Sequence, residues 1–156
     1  MAKTVKKDSV NPKKNSSEAK ISYKFENQHK VVFGFFLILL SVALLVAFIS
    51  FFISGQADQS AVNALTDRAE VTENWLGKIG AFLADIFIYQ GFGIASFVLV
   101  ILFFLTGAYL VMGLPLKKLK STWFWNLYAI IILSILLGFF FTTLPELGGV
   151  IGYEMN

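Results

Sequence analysis

Residues 86–116 read IFIYQGFGIASFVLVILFFLTGAYLVMGLPL and contain no Asp, Glu, Lys or Arg. About 20 apolar residues of helix cross the hydrocarbon core of a bilayer, so this stretch is long enough to span. Two further charge-free stretches flank it, at residues 31–57 and 121–145. Only 15% of the 156 residues are charged, against about 25% in a soluble domain. The sequence predicts an all-α polytopic membrane protein and excludes a soluble enzyme.

The charges alternate in sign along the chain and predict an orientation. Residues 1–30 hold eight lysines against three acids, and Lys117, Lys118 and Lys120 separate the second and third apolar stretches with no acid among them. The segment between the first two stretches and the C-terminal segment are both net acidic. Because Lys and Arg in short loops favour the cytoplasmic side, the N-terminus is expected in the cytoplasm and Asn156 on the outer side.

Hydropathy and charge together divide the chain into segments. The expected order is a disordered Lys-rich cytoplasmic tail at 1–30, a first span at 31–53, an outer polar loop at 54–72, an amphipathic surface helix at 73–90, a second span at 93–113, a basic cytoplasmic turn at 114–120, a third span at 121–142 and an outer Gly-rich segment at 143–156. The tail lacks apolar periodicity, and contact with DNA, contact with lipid and a purely topological role all stay open for it. Trp123 and Trp125 are expected in the interfacial aromatic belt, beside lysines that reach the headgroups.

Residues 73–90 have helical periodicity with three distinct faces. At 100° per residue, a small-residue face collects Gly77, Gly80, Ala81 and Ala84, whereas Lys78 and Asp85 form a charged edge. The bulky face consists of Trp75, Leu76, Ile79, Phe82, Leu83, Ile86 and Phe87. Such a helix suits the membrane surface, and its small face would let another helix approach closely. A plain helical extension of the second span is the alternative.

The same segment resembles a known family. Gly77, Gly80, Ala81, Leu83, Ala84 and Asp85, followed by Phe92-Gly93, resemble the G-x-x-G-A-x-L-A-D and F-G signature in the N-terminal membrane domain of bacterial FtsK/SpoIIIE-type DNA translocases. The glycine-rich residues 148–152 are similar to the segment that precedes the family's fourth span. The resemblance covers about residues 31–156. It implies that Gly77, Gly80, Ala81, Ala84, Asp85, Phe92 and Gly93 form a helix-packing motif.

The resemblance also implies a role in cell division and chromosome segregation. Such a domain tethers a hexameric, ATP-driven DNA pump to the septum of the bacterial inner membrane and contacts other division proteins. The sequence contains no G-x-x-x-x-G-K-[ST] phosphate loop, so ATP, Mg²⁺ and DNA are implied only for a motor beyond these residues. We therefore expect an N-terminal fragment of a longer protein.

The residue inventory predicts no catalytic, cofactor or metal site in this chain. His29 is the only histidine and cysteine is absent, so a Cys/His metal site has no ligands. The expected contacts are the lipid bilayer, further copies of the chain and division proteins. Two other functions stay open: a small membrane channel or transporter subunit, and a membrane scaffold of unrelated ancestry.

Overall fold

The computed structural model describes residues 12–62 and 72–155, and every regular element among them is helical. The elements are α1 (Pro12–Val62), α2 (Gly77–Ala84), a π-helix (Asp85–Phe92), a 3₁₀ turn (Gly93–Ser96), α3 (Phe97–Val111), α4 (Lys117–Phe140) and α5 (Pro145–Glu154). Three helical segments are long and apolar enough to cross a membrane, at Gln28–Ser54, Gly77–Val111 and Lys117–Phe140. The predicted all-α fold with three membrane-spanning helices is confirmed.

Helix α1 is longer than the span it contains. Residues 12–30, which were expected to form a disordered tail, are helical, and so are residues 54–62 of the expected polar loop. Once the apolar segment has formed a helix, each added residue gains a backbone hydrogen bond without a new nucleation cost. The remaining residues of those two predicted segments, 1–11 and 63–71, lie outside the described part of the chain.

Helices α1 and α3 pack antiparallel. Near the start of the first span, Gly34 lies against Gly107, and further along α1 the Ser41 hydroxyl donates a 2.9 Å hydrogen bond to the carbonyl oxygen of Val100. Higher residue numbers on α1 thus meet lower ones on α3. The buried cluster on this side of the bundle consists of Leu44, Ala47, Phe48, Phe51, Ala84, Ile88 and Val100.

Helix α4 joins the bundle through a second cluster of Ala95, Leu99, Leu102 and Ile130. At its N-terminal end the Trp123 indole donates a 2.9 Å hydrogen bond from Nε1 to Thr106 Oγ1, and its ring lies 5.8 Å from that of Phe103. Trp125, two residues later, is 63% exposed. The two tryptophans therefore differ: one fixes α4 to α3, and the other lies on the outer surface of the bundle.

Trp123→Phe should lower the free energy of unfolding by about 1 kcal/mol, the usual net contribution of one hydrogen bond. The phenyl ring keeps the aromatic contact but cannot donate to Thr106. The measurement is SDS-induced unfolding of the purified chain in detergent micelles, with Trp125→Phe as the matched control. If the two variants unfold at the same SDS concentration, the indole hydrogen bond does not contribute to stability.

The connection between α3 and α4 is a tight turn. Gly113 has a φ of +68°, the Leu114 N–H donates 2.8 Å to the Tyr109 carbonyl, and the Gly113 N–H donates 3.2 Å to that of Leu110. This glycine-terminated cap satisfies carbonyls that the helix end would otherwise leave open. The second span therefore ends at Val111, and Lys117, Lys118 and Lys120 belong to the first turn of α4 rather than to the turn before it.

Candidate functional site

The motif segment, residues 73–90, presents its small residues to the bundle. Gly80, Ala81 and Ala84 are buried, whereas Trp75 and Ile79 are 64% and 74% exposed. Ala84 belongs to the cluster that surrounds Ala47 and Phe48 of α1. Small side chains let two helices approach closely, so α2 packs through the face that its periodicity defines. Two residues expected on the bulky face, Leu83 and Phe87, also contact this cluster.

The chain contacts α1 at the same level at the start of the motif segment and again just after it. At its start, Asn74 Nδ2 donates 3.1 Å to the Ala47 carbonyl and the Trp75 N–H donates 3.0 Å to Ser50 Oγ. Just after it, at the start of α3, the Phe97 ring lies 5.5 Å from that of Phe48. A straight helix over the 16 residues 77–92 would carry the chain about 24 Å along α1. The segment therefore turns back on itself and is not a straight extension of α3.

Gly80 makes room for the Asn74 side chain. A Cβ atom at Gly80 would collide with Asn74 Oδ1 and lie 2.6 Å from the Cβ of Leu76. Asn74 Oδ1 also accepts a 3.1 Å hydrogen bond from the Leu76 N–H. Asn74 and Ser50, which together hold the start of the segment on α1, were not identified from sequence. Gly77 has a different role, since its φ of +64° with nothing near its Cβ position marks a turn into the helix.

Asp85 begins the π-helix and is buried, with 6% of its surface exposed. Its Oδ2 accepts a 2.5 Å hydrogen bond from Gln90 Nε2. In a π-helix, backbone hydrogen bonds join residues five apart, which is also the spacing between Asp85 and Gln90. The pair satisfies a polar group that would be costly to bury alone. Asp85 therefore faces the protein interior, and Lys78, the other residue of the predicted charged edge, is half-buried.

A backbone break separates the π-helix from α3. Gly91 has non-helical angles (φ −94°, ψ −122°) and Gly93 has a φ of +63°. Across this break the Ser96 hydroxyl donates a hydrogen bond to the Phe87 carbonyl. Half-buried Phe92 packs against the second cluster. We call residues 91–93 the hinge.

Helix α5 packs directly on the hinge through its own broken turn. Gly149 has a φ of +67° and a ψ of 173°. A Cβ atom there would collide with the Gly91 carbonyl oxygen and lie 2.6 Å from the Gly93 nitrogen. A Cβ atom at Gly93 would collide with the Leu147 carbonyl oxygen. Two irregular backbone segments thus touch where neither has a side chain, and each shields the other from lipid.

The other side of α5 packs on the end of α4. Ser134 is fully buried and its Oγ donates a 2.6 Å hydrogen bond to the Gly148 carbonyl. A Cβ atom at Gly148 would lie 2.6 Å from the Gly138 nitrogen, and one at Gly138 would collide with the Gly152 carbonyl oxygen. The predicted Gly-rich segment is therefore a kinked helix between the hinge and α4.

The lysine and tryptophan residues predicted for lipid contact lie away from this packing centre. Lys117, Lys118 and Lys120 are exposed in the first turn of α4, about 21–26 Å along the helix from Ser134. The structure brings the motif residues together with α5, but not with these lysines. Across the described residues, no three His, Cys, Asp or Glu side chains group as metal ligands would. The arrangement supports close helix packing.

Comparison with known protein families confirms the resemblance seen in the sequence. A family model described as the 4TM region of DNA translocase FtsK/SpoIIIE matches residues 26–156. The matched region contains the three spans, the motif segment, the hinge and α5. No curated protein and no solved structure matches the chain significantly.

Proposed function

The chain belongs to the family of the 4TM region of FtsK/SpoIIIE DNA translocases, and from this premise we propose that it tethers an ATP-driven DNA pump to the septal membrane. In this proposal it acts in cell division and chromosome segregation in the bacterial inner membrane. ATP, Mg²⁺ and DNA would be bound by a cytoplasmic motor, and this chain would supply the anchor and the contacts between subunits.

The backbone contact between the hinge and α5 is the observation that carries this proposal. It joins the motif segment to α4, while Asn74 and Ser50 join the same segment to α1. All three spans are thereby connected at one end of the bundle. A tether for a motor that pulls on DNA must transmit force without unfolding locally, and such a continuous packed unit suits that task.

Oligomerisation is the second part of the proposal. By family analogy the full-length protein would form a hexamer and contact other division proteins. Large apolar side chains of α4 remain exposed, among them Phe124, Leu136, Phe139 and Phe140. In a membrane such a surface can face lipid or a second copy. We assign it to the second copy in the assembled pump.

Septal localisation tests the proposal directly. A fluorescent protein fused to the N-terminus of the chain should concentrate at division sites of growing bacterial cells, and chemical cross-linking of their membranes should give species larger than the monomer. An unrelated three-span protein with the same label is the control. An even distribution around the membrane would contradict septal tethering, and a purely monomeric pattern would contradict subunit assembly.

The orientation proposed from the charges places the N-terminus in the cytoplasm and Asn156 outside. A reporter enzyme that is active only on the outer side should therefore be active when it is fused after Asn156, because three crossings separate the two ends. The matched control is the same reporter at the N-terminus, which should be inactive. Activity of a cytoplasm-specific reporter after Asn156 would contradict this orientation.

A further inference from the structure

A cavity of about 520 Å³ lies at the lysine-rich end of the bundle, far from the motif segment. One wall is formed by Lys30 and Val31 of α1, and the other by Tyr109 to Val111 of α3 and the following turn, residues 112–116. Lys30 and Tyr109 contribute the polar side chains of this lining. The remaining lining residues are apolar, so the cavity combines one lysine and one tyrosine with otherwise apolar walls.

The cavity lies at the level where the three spans meet one boundary of the membrane. The first span begins at Gln28, the second ends at Val111 and the third begins at Lys117. The lining residues occupy these same places in the chain. The cavity therefore lies at the depth of the lipid headgroups, and its apolar walls continue toward the hydrocarbon core.

The charges near the cavity are mostly positive: Lys30, Lys117, Lys118 and Lys120 outnumber Glu26, which lies one turn before Lys30 in α1. Lys117 and Lys118 directly follow the lining residue Leu116, and Lys120 lies in the same turn of α4. The acids among the described side chains, Glu73, Asp85, Glu146 and Glu154, belong to the motif segment and α5 at the other end of the bundle. The positive end of the α4 dipole adds to the lysines, since Leu116 provides no side-chain cap.

We propose that this cavity binds the phosphate headgroup of an anionic phospholipid. Lys30 and Tyr109 hydrogen-bond the phosphate oxygens within the cavity, while the lysines of α4 attract the charge from its edge. The aliphatic walls, such as Val31 and Leu110, receive the upper part of an acyl chain. Basic pockets between spanning helices are suited to such headgroups, and a free phosphate ion would leave the apolar walls without a partner.

The first test measures binding of fluorescent phosphatidylglycerol to the purified chain in detergent micelles. Val31→Trp fills the cavity without a change in charge and should weaken binding about fivefold or more, if the cavity contributes as much as one lysine contact. Val32→Trp is the matched control, because Val32 is the next residue and is 69% exposed. Equal affinity of the wild-type chain and Val31→Trp would overturn the proposal.

The second test separates this site from general attraction to charge. Lys30→Gln should weaken binding about fivefold, the equivalent of about 1 kcal/mol for one lysine near an anionic lipid. Lys78→Gln removes the same charge at the far end of the bundle and should leave affinity unchanged. An equal loss in both variants would overturn the proposal, and this comparison stays valid if Val31→Trp fails to fold.

Inorganic phosphate distinguishes the lipid from a free ion. Phosphate at millimolar concentration should not displace the labelled lipid, and displacement would overturn the assignment to a phospholipid. The proposed lipid site requires only that the chain spans the membrane. A septal label that is evenly distributed would therefore leave it intact, and a failure of lipid binding would leave septal tethering intact.

Discussion

Gly149→Ala should lower the free energy of unfolding by about 2–6 kcal/mol. The backbone angles of Gly149 (φ +67°, ψ 173°) lie in a region that is essentially restricted to glycine, where another residue costs about 1–3 kcal/mol. The added methyl group also collides with the Gly91 carbonyl oxygen, and overpacking of this kind costs a further 1–3 kcal/mol or so. SDS-induced unfolding in micelles, followed by circular dichroism, measures the change.

Gly113→Ala is the matched control for this prediction. Gly113 has nearly the same φ, +68°, but no atom lies within 4 Å of its Cβ position. Gly113→Ala should lower the free energy of unfolding by about 1–2 kcal/mol, which is the cost of a left-handed backbone conformation alone. The difference between the two variants consists mainly of the contact between α5 and the hinge, with a smaller part from the ψ of Gly149. If both variants lose the same stability, that contact does not hold the bundle together.

The three spans could be predicted from sequence because a spanning helix is a local property of about 20 consecutive apolar residues. The ends of these spans could not be predicted as accurately. The charges of residues 117–120 predict a turn there, yet the turn is determined by backbone geometry at Gly113. The composition of residues 12–30 predicts a disordered tail, because composition does not account for a helix that extends outward from an apolar segment.

The packing face of α2 could also be predicted, since Gly80, Ala81 and Ala84 follow the ordinary helical period. The burial of Asp85 could not be predicted in the same way. A uniform 100° per residue places Asp85 beside Lys78, and the π-helix that begins at Asp85 changes the period only for the residues after it. The wider turn of the π-helix brings Gln90 next to Asp85, and this pairing supports the burial of the carboxyl group.

The residues that contact the motif segment could not be predicted from sequence, for another reason. Asn74 bonds Ala47 across 27 residues, and Gly149 touches the hinge across more than 50. Such contacts depend on how the helices fold back on one another, which periodicity does not encode. The sequence offered only a weak signal, in the glycines that interrupt the apolar stretches. A glycine within a spanning helix costs conformational entropy and is expected where backbones must meet.

Gly34 and Gly107 lie where the backbones of α1 and α3 approach each other most closely among the contacts described for these two helices. A Cβ atom at Gly34 would lie 2.8 Å from the Gly107 carbonyl oxygen, and one at Gly107 would lie 2.6 Å from that of Gly34. Away from a contact, Gly→Ala within a helix stabilises by roughly 0.5–1 kcal/mol. At this crossing each substitution should instead destabilise by about 1–3 kcal/mol. The sign of the change therefore reports whether the two backbones touch.

A double-mutant cycle completes this test. Either methyl group separates the same two helices, so the second substitution should cost less stability than the first. The loss of stability in the double variant Gly34→Ala/Gly107→Ala should therefore be about 1 kcal/mol smaller than the sum of the two single losses. Gly107→Ala combined with Gly149→Ala is the control, because these sites lie at opposite ends of the bundle and their effects should add to within about 0.5 kcal/mol. Additivity in the first pair, or a gain in stability from either single variant, would show that α1 and α3 do not meet at these glycines. Coupling in the first pair alone would locate a second backbone contact, distinct from the one between α5 and the hinge.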